Sequence, residues 1–303
     1  MDAGKSQWMG RIAGTARAVF WVLSVLLVLL VLKQILGIGG VDKARNDLLR
    51  SFEQERKSRV VALIHRQEDV SLFGVPVSSH ITIEDSEAVL RAIRLTPPDQ
   101  PIDLILHTPG GLVLAAEQIA KALVEHKGKV TVFVPHYAMS GGTLLALAAD
   151  EIVMDANAVL GPVDPQIGEM PAASIVKLLE LKRPALISDE MLILADMAQK
   201  ARLQVAAFVA QVLFKHMPEK KAVALAALLS EGRWTHDFPL TVQAVQQFGL
   251  NVSTAMPRKV YDLMDLYPQS GSGRPSVLYV PVRRGADRQQ QAADGPAPRA
   301  PAR

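Results

Sequence analysis

A serine placed between a strand and a helix and followed by two glycines is well situated to become a nucleophile. Tyr137-Ala138-Met139-Ser140-Gly141-Gly142 is such a segment. The helix N-terminus would favour developing negative charge, and the N–H after the serine could hold an oxyanion. A serine in that position can equally serve as a helix cap. A second turn, His107-Thr108-Pro109-Gly110-Gly111, also joins a strand pattern to a helix pattern. Its paired glycines let backbone N–H groups turn inward and approach a ligand closely. A third segment, Trp234-Thr235-His236-Asp237, lies in a polar stretch after Gly232, where a loop histidine can act as a general base.

Positioning these residues falls to an alternation of strands and helices. RVVALIH (59–65) is a β-rich run, and HITIED (80–85) alternates like a strand. DSEAVLRAIRLT then has helical periodicity. PIDLILH (101–107) predicts a buried strand, LVLAAEQIAKALVEH a helix, KVTVFVP (129–135) a strand, and EIVMD (151–155) another. Strand and helix alternating at this spacing argue an α/β fold with βαβ units. The second half is helical in character. Helices are expected at 171–182, at 188–216 with Ser188 as cap, and at 219–229. VQAVQQFGL reads as a short helix ending at Gly249, and SVLYVPV (276–282) as a last strand.

The ends of the chain differ from its middle. Residues 18–36, AVFWVLSVLLVLLVLKQIL, carry Lys33 as their one charge, close to the end of the run, and predict a transmembrane helix after an N-terminal tail at 1–17. The run exceeds a signal-peptide core, and GIGGVDKARN after it offers no A-x-A-like cleavage site, which favours a retained anchor. Lys5, Arg11 and Arg17 precede it, whereas Lys33, Lys43, Arg45, Arg50, Arg56 and Lys57 lie at its far end and beyond. The balance leans towards a single-pass protein with a cytoplasmic body. Residues 42–58 read as a charged, mostly helical connector, 59–284 as the globular domain, and 285–303 as a disordered tail.

Composition narrows the chemistry further. With 49% hydrophobic residues among 303, the chain is not disordered as a whole, and its apolar excess is too local for a polytopic membrane protein. The absence of cysteine excludes disulfides, thiolate metal sites and a cysteine nucleophile. Lys plus Arg is 33 against 30 Asp plus Glu, which gives no reason to expect nucleic acid as a partner. The Gly-Gly turn is not G-x-G-x-x-G, so no dinucleotide fingerprint is present.

Taken together, RVVALIHRQE, EDSEAVLRAIRLT, DLILHTPGGLVLAAEQIAKAL, VTVFVPHYAMSGGTLLALAADEIVMDANAVLGPVDPQIG and GRWTHDFPLTVQAVQQFGL resemble the serine dehydrogenase proteinase family. That family is an often membrane-anchored branch of the Clp/crotonase superfamily, and the resemblance spans about residues 59–281. The 140 − 110 = 30 residues between Gly110 and Ser140 are similar to the gap between glycine turn and nucleophile in Clp proteases. The resemblance implies a Clp/crotonase-like stack of βαβ spirals and a homo-oligomer. It implies a serine protease acting on peptides or membrane-associated proteins, with no metal or organic cofactor. It makes Ser140 the nucleophile and the backbone N–H groups of Gly111 and Gly141 the oxyanion hole. The region where Clp proteases carry their base histidine reads GPVDPQ (161–166) and has none. The serine dehydrogenase proteinase order of Ser, Asp, His is met instead by Ser140, Asp164 and His236.

Rival assignments follow from the same residues. Asp150 or Asp155 could replace Asp164 as the acid. His107 and His136 flank the candidate turns and are expected to be structural. Lys177 and Lys182, 37 and 42 residues after Ser140, would suit a Ser-Lys dyad like that of signal peptide peptidase A. Two non-protease readings also stand at this point: crotonase-like thioester chemistry, and a non-catalytic membrane scaffold.

Overall fold

The computed structural model describes residues 20–26, 40–65, 70–72, 75–77 and 80–267. The tail at 1–17, the strand at 276–282 and the tail at 285–303 lie outside these, as does most of the apolar run 18–36. Within that run 20–26 are helical. Among the described residues no helix is long and apolar enough to cross a membrane.

Helix α1 (40–56) leads into β1 (Arg59–Ile64), an antiparallel hairpin of β2 (Val70–Leu72) and β3 (Val75–Val77), and α2 (Ile83–Arg94). Next come β4 (Ile102–His107), α3 (Val113–Glu125), β5 (Val130–Val134), β6 (Tyr137–Ala138), α4 (Gly141–Leu147) and β7 (Glu151–Met154). Short strands β8 (Val159–Leu160), β9 (Gln166–Ile167) and β10 (Met170–Pro171) precede three helices, α5 (Ala172–Leu181), α6 (Asp189–Leu213) and α7 (Glu219–Ser230). The described chain closes with β11 (Leu240–Thr241), α8 (Val242–Gln247), β12 (Val252–Ser253) and α9 (Arg258–Asp265).

Five strands form one sheet in the order β1-β4-β5-β7-β12, and every pairing in it is parallel. Both central strands, β4 and β5, are buried along their whole length. Covered on both faces, they need near-continuous apolar runs, which IDLILH and VTVFV supply. Their side chains still alternate between faces. Leu104, Leu106, Val130, Val132 and Val134 join the main core, whose helical members come from α2, α3, α4, α6, α7 and α8. Ile105 and Phe133 point the other way, towards Phe52 of α1 and Val260 and Leu263 of α9. Helix α1 is thus packed against the sheet, with Phe52 edge-on to Phe133 at 5.7 Å. Asp103 is the acidic residue within β4. Arg56 holds both its carboxylate oxygens at 2.8 and 3.1 Å, and Ser58 donates a third bond at 2.7 Å. The Asp103 carboxylate in turn raises the Arg56 pKa above its ordinary value.

The alternating HITIED segment does not become a strand. Ile81 makes a single parallel bridge to Gly111, and the helix starts two residues later. Thr82 accepts a bond from the Asp85 N–H while Asp85 accepts from the Thr82 N–H, so a capping box overrides the β-like alternation. The helices expected at 171–182, 188–216 and 219–229 form as α5, α6 and α7, with Ser188 capping α6.

Candidate active site

At the end of β4 the chain pairs with β6 rather than with its sheet neighbours. The Thr108 N–H donates to the Tyr137 carbonyl at 3.2 Å, and the Met139 N–H returns a bond to the Thr108 carbonyl at 3.0 Å. This stitch sets the Gly110-Gly111 turn beside Ser140. The approach is so close that a Cβ on Gly110 would stand 2.7 Å from the Ser140 Cβ, and one on Gly142 2.6 Å from Thr108 Cγ2. Gly111 has still less room, since a Cβ there would lie 2.3 Å from the Ile81 backbone nitrogen. Both glycines of the turn have positive φ, 109° and 155°.

Ser140 itself has φ 51° and ψ −117°, a conformation that a non-glycine residue holds only under constraint from its surroundings. Its carbonyl accepts the bond from the Leu144 N–H at 3.2 Å, whereas its side chain makes no capping bond. The hydroxyl is therefore left for something other than capping. The Gly141 N–H is the first donor of α4 and has no acceptor within that helix. Around Gly111, the Ile81 N–H bonds the Gly110 carbonyl and the Leu112 N–H bonds the Ile81 carbonyl. In such a parallel bridge the Gly111 N–H faces away from Ile81, and the Gly111 nitrogen lies 3.7 Å from where a Gly141 Cβ would be.

A second arm reaches this place from the far side. Thr143 of α4, buried, donates to the Ala138 carbonyl and accepts from the Gly161 N–H at 2.9 Å, which ties the helix to the Gly161-Pro162-Val163-Asp164 segment. The Val163 N–H is anchored on the Leu229 carbonyl at the end of α7. Asp164 is buried, at 3% exposure, and its Oδ1 lies 2.8 Å from Nδ1 of His236. Gln166 donates from Nε2 to Asp164 Oδ2 at 2.7 Å. The same Nε2 comes within 3.3 Å of His236 Nδ1, but with Nδ1–H directed at the carboxylate this is a contact between two donors and adds nothing. That polarity leaves Nε2 of His236 as the ring's acceptor. The loop holding His236 turns at Thr235–Phe238 through one backbone bond, and Trp234 stacks on Phe238 at 5.4 Å.

Ser140, Gly111, Gly141, Asp164, Gln166 and His236 all line one cavity of about 170 Å³. The other residues named from sequence lie elsewhere. Asp150 bonds Lys215 at 2.8 Å and the Val130 N–H, which hold its pKa below the ordinary range against the opposing effect of burial. Asp155 accepts from the Tyr261 hydroxyl, and this bond, with the Asn157 contacts, lowers its pKa while Tyr261 is pushed up to about 12. Lys177 lines a separate depression with Glu180 and Glu231, and Lys182 is exposed beyond α5. His107 is buried beneath the glycine turn against Tyr137 and His136, with ring centroids 4.2 and 5.8 Å away.

Three features escaped the sequence reading. Gln166 is one. Glu117 is another: it lines the cavity wall, and burial pushes its carboxyl above the usual range. The third supports the glycine turn from behind. The Gly110 N–H donates to Thr108 Oγ1 at 3.2 Å, Thr108 Oγ1 lies 2.9 Å from His65 Nδ1, and His65 Nε2 lies 3.3 Å from Asp85. Burial outweighs the Asp85 charge and lowers the His65 pKa, which suits a neutral ring accepting from Thr108 and donating to Asp85. Among the described residues no group of three His, Asp or Glu side chains is arranged to hold a metal ion.

Over 234 residues the chain is 57% identical to the uncharacterized protein MJ1495 of Methanocaldococcus jannaschii, covering 77% of this chain and 80% of that one. Among solved structures, ClpP1 from Listeria monocytogenes is similar at 15% identity and a TM-score of 0.41, over 68% of this chain and 96% of its own. The 1510-N membrane-bound stomatin-specific protease is similar at 19% identity and a TM-score of 0.40, over 62% and 79%. The model of the ClpP-like SDH-type serine proteinases matches residues 8–294. With that match covering nearly the whole chain, the protein belongs to the ClpP-like SDH-type serine proteinase family and is a serine peptidase.

Proposed function

We propose that the protein hydrolyses peptide bonds through an acyl-enzyme on Ser140, with His236 as general base, Asp164 as its orienting acid, and the Gly111 and Gly141 N–H groups as the oxyanion hole. The observation that carries this reading is the 2.8 Å bond between a buried Asp164 and His236 Nδ1, in the cavity that Ser140 also lines. Such a bond fixes the tautomer that leaves Nε2 free to take a proton, and the carboxylate favours the imidazolium formed when it does.

The Ser140 Oγ attacks the substrate carbonyl carbon while its proton passes to His236 Nε2. The carbonyl oxygen becomes an oxyanion held by two backbone N–H groups. Collapse of that intermediate breaks the C–N bond, and His236 returns its proton to the leaving amine. Water then attacks the acyl group, losing its proton to His236, and Ser140 leaves as the hydroxyl with that proton restored. The strained Ser140 backbone supports the reading, because a conformation held at a cost of about 1–3 kcal/mol needs a reason, and capping is not it.

The apolar run 18–36 supports single-pass tethering to a membrane, and the cation balance around it favours a cytoplasmic catalytic domain. Exposed apolar side chains on α5 and α6, such as Leu181 and Ile193, suit assembly with further copies. The direct test is intact-mass analysis after treatment with a fluorophosphonate. One adduct on Ser140 in the wild type, absent from Ser140→Ala, is expected. A folded wild-type protein that takes no adduct would remove the basis for the proposal.

A further inference from the structure

The cavity at Ser140 continues outward between α3 and α6 into a broader groove of about 730 Å³. The two share Val113, Glu117, Pro165, Gln166, Val205 and Phe208. Apolar surface dominates these walls, as Ala116, Leu144 and Val163 also contribute to the inner part. Glu117 is the one charged side chain lining the outer groove among the described residues. In the inner cavity the other charged groups, Asp164 and His236, are engaged with each other.

No cation of the described chain meets Glu117. Lys121, one turn further along α3 and well placed for an i,i+4 pair, approaches Glu125 instead at 3.8 Å. On the facing helix, Lys200 bonds Asp196, and Arg202 turns to the depression that Lys177 and Glu180 line. A half-buried carboxylate among apolar side chains, with no partner for its charge, is costly to keep. Its raised pKa reflects that cost.

Resting on the Ser140 reading, we propose that Glu117 is a specificity-determining residue that selects a lysine or arginine side chain next to the scissile carbonyl. Such a side chain matches both halves of the site. Its methylene stem can lie along Val205 and Phe208 while its cationic end meets the carboxylate. A wholly apolar side chain would cover Glu117 without pairing it, and an acidic one would be repelled.

The test uses the full chain and two peptidyl diphenyl phosphonates that differ only in carrying lysine or norleucine beside the phosphorus. Norleucine keeps the stem and lacks the ammonium. The lysine probe should modify Ser140 roughly ten- to a hundredfold faster in the wild type. Glu117→Gln should bring the two rates together. Glu117→Lys, which guards against a folding defect in the first variant, should make a glutamate probe faster than its glutamine counterpart. Equal rates for lysine and norleucine in the wild type would overturn the assignment. So would a preference that survives Glu117→Gln, or a Ser140 that reacts with a plain fluorophosphonate and with neither peptidyl probe. A wild type inert to the plain fluorophosphonate would remove the Ser140 reading as well, so the two failures are told apart.

Discussion

The two halves of the candidate site are built by different means. Gly110, Gly111, Ser140 and Gly141 sit on turns that leave strands of the core, and their geometry is enforced by backbone contacts with no slack. Asp164 and His236 are 72 residues apart and are brought together by side-chain hydrogen bonds and one loop turn. The first half is steric, so it should tolerate almost no added atom. The second half is chemical, so it should keep its shape when an atom is exchanged and lose its function.

The sharpest way to break that contrast is Asp164→Asn. An amide of the same shape can hold the imidazole in the wrong tautomer, and the loss in kcat/KM should be on the order of 10⁴ with little change in Tm. Gly111→Ala should behave in the opposite manner. Its Cβ would meet the Ile81 backbone at 2.3 Å, and denaturant unfolding should show a loss of roughly 3 kcal/mol or more. Gln166→Ala removes a bond to Asp164 Oδ2 but leaves Oδ1 on His236, so about a tenfold fall in kcat/KM is expected.

The smallest effect sharpens the steric half. His65 and His216 both have pKa values lowered by burial. Between the unfolded value near 6.5 and the lower folded value, the unfolded chain binds protons that the folded chain refuses. Stability should therefore be intact above about pH 6.5 and decline as the pH falls below it, by at most about 1.4 kcal/mol per pH unit for each histidine. Urea unfolding at a series of pH values reads that slope, and His65→Gln should make it shallower. A slope unaltered by that variant would leave the support behind Gly110 unexplained.

These halves also differ in how far the sequence exposes them. Four of the five sheet strands were legible as apolar runs, and the two glycine turns as local punctuation between periodic segments. Where short-range signals conflicted, capping won over alternation, as at Thr82-Ile83-Glu84-Asp85. The edge strand Val252–Ser253, two residues long, carries no period to read. Asp164 became a candidate only through resemblance, and His236, legible as a loop histidine, was joined to Asp164 and Ser140 only in that way, because sequence separation says nothing about the distance between two side chains. Gln166, Glu117 and the chain from Asp85 through His65 and Thr108 to Gly110 had no signal at all. They are ordinary polar residues whose surroundings come from elements far off in sequence.

In the proposed mechanism His236, and not a lysine, activates Ser140. The most direct test is the rate of fluorophosphonate modification of His236→Ala and Lys182→Ala beside the wild type, each checked for folding by its thermal transition. His236→Ala should lose modification by several orders of magnitude while Lys182→Ala keeps the wild-type rate. A folded His236→Ala protein that still reacts, together with an inert Lys182→Ala, would contradict that mechanism.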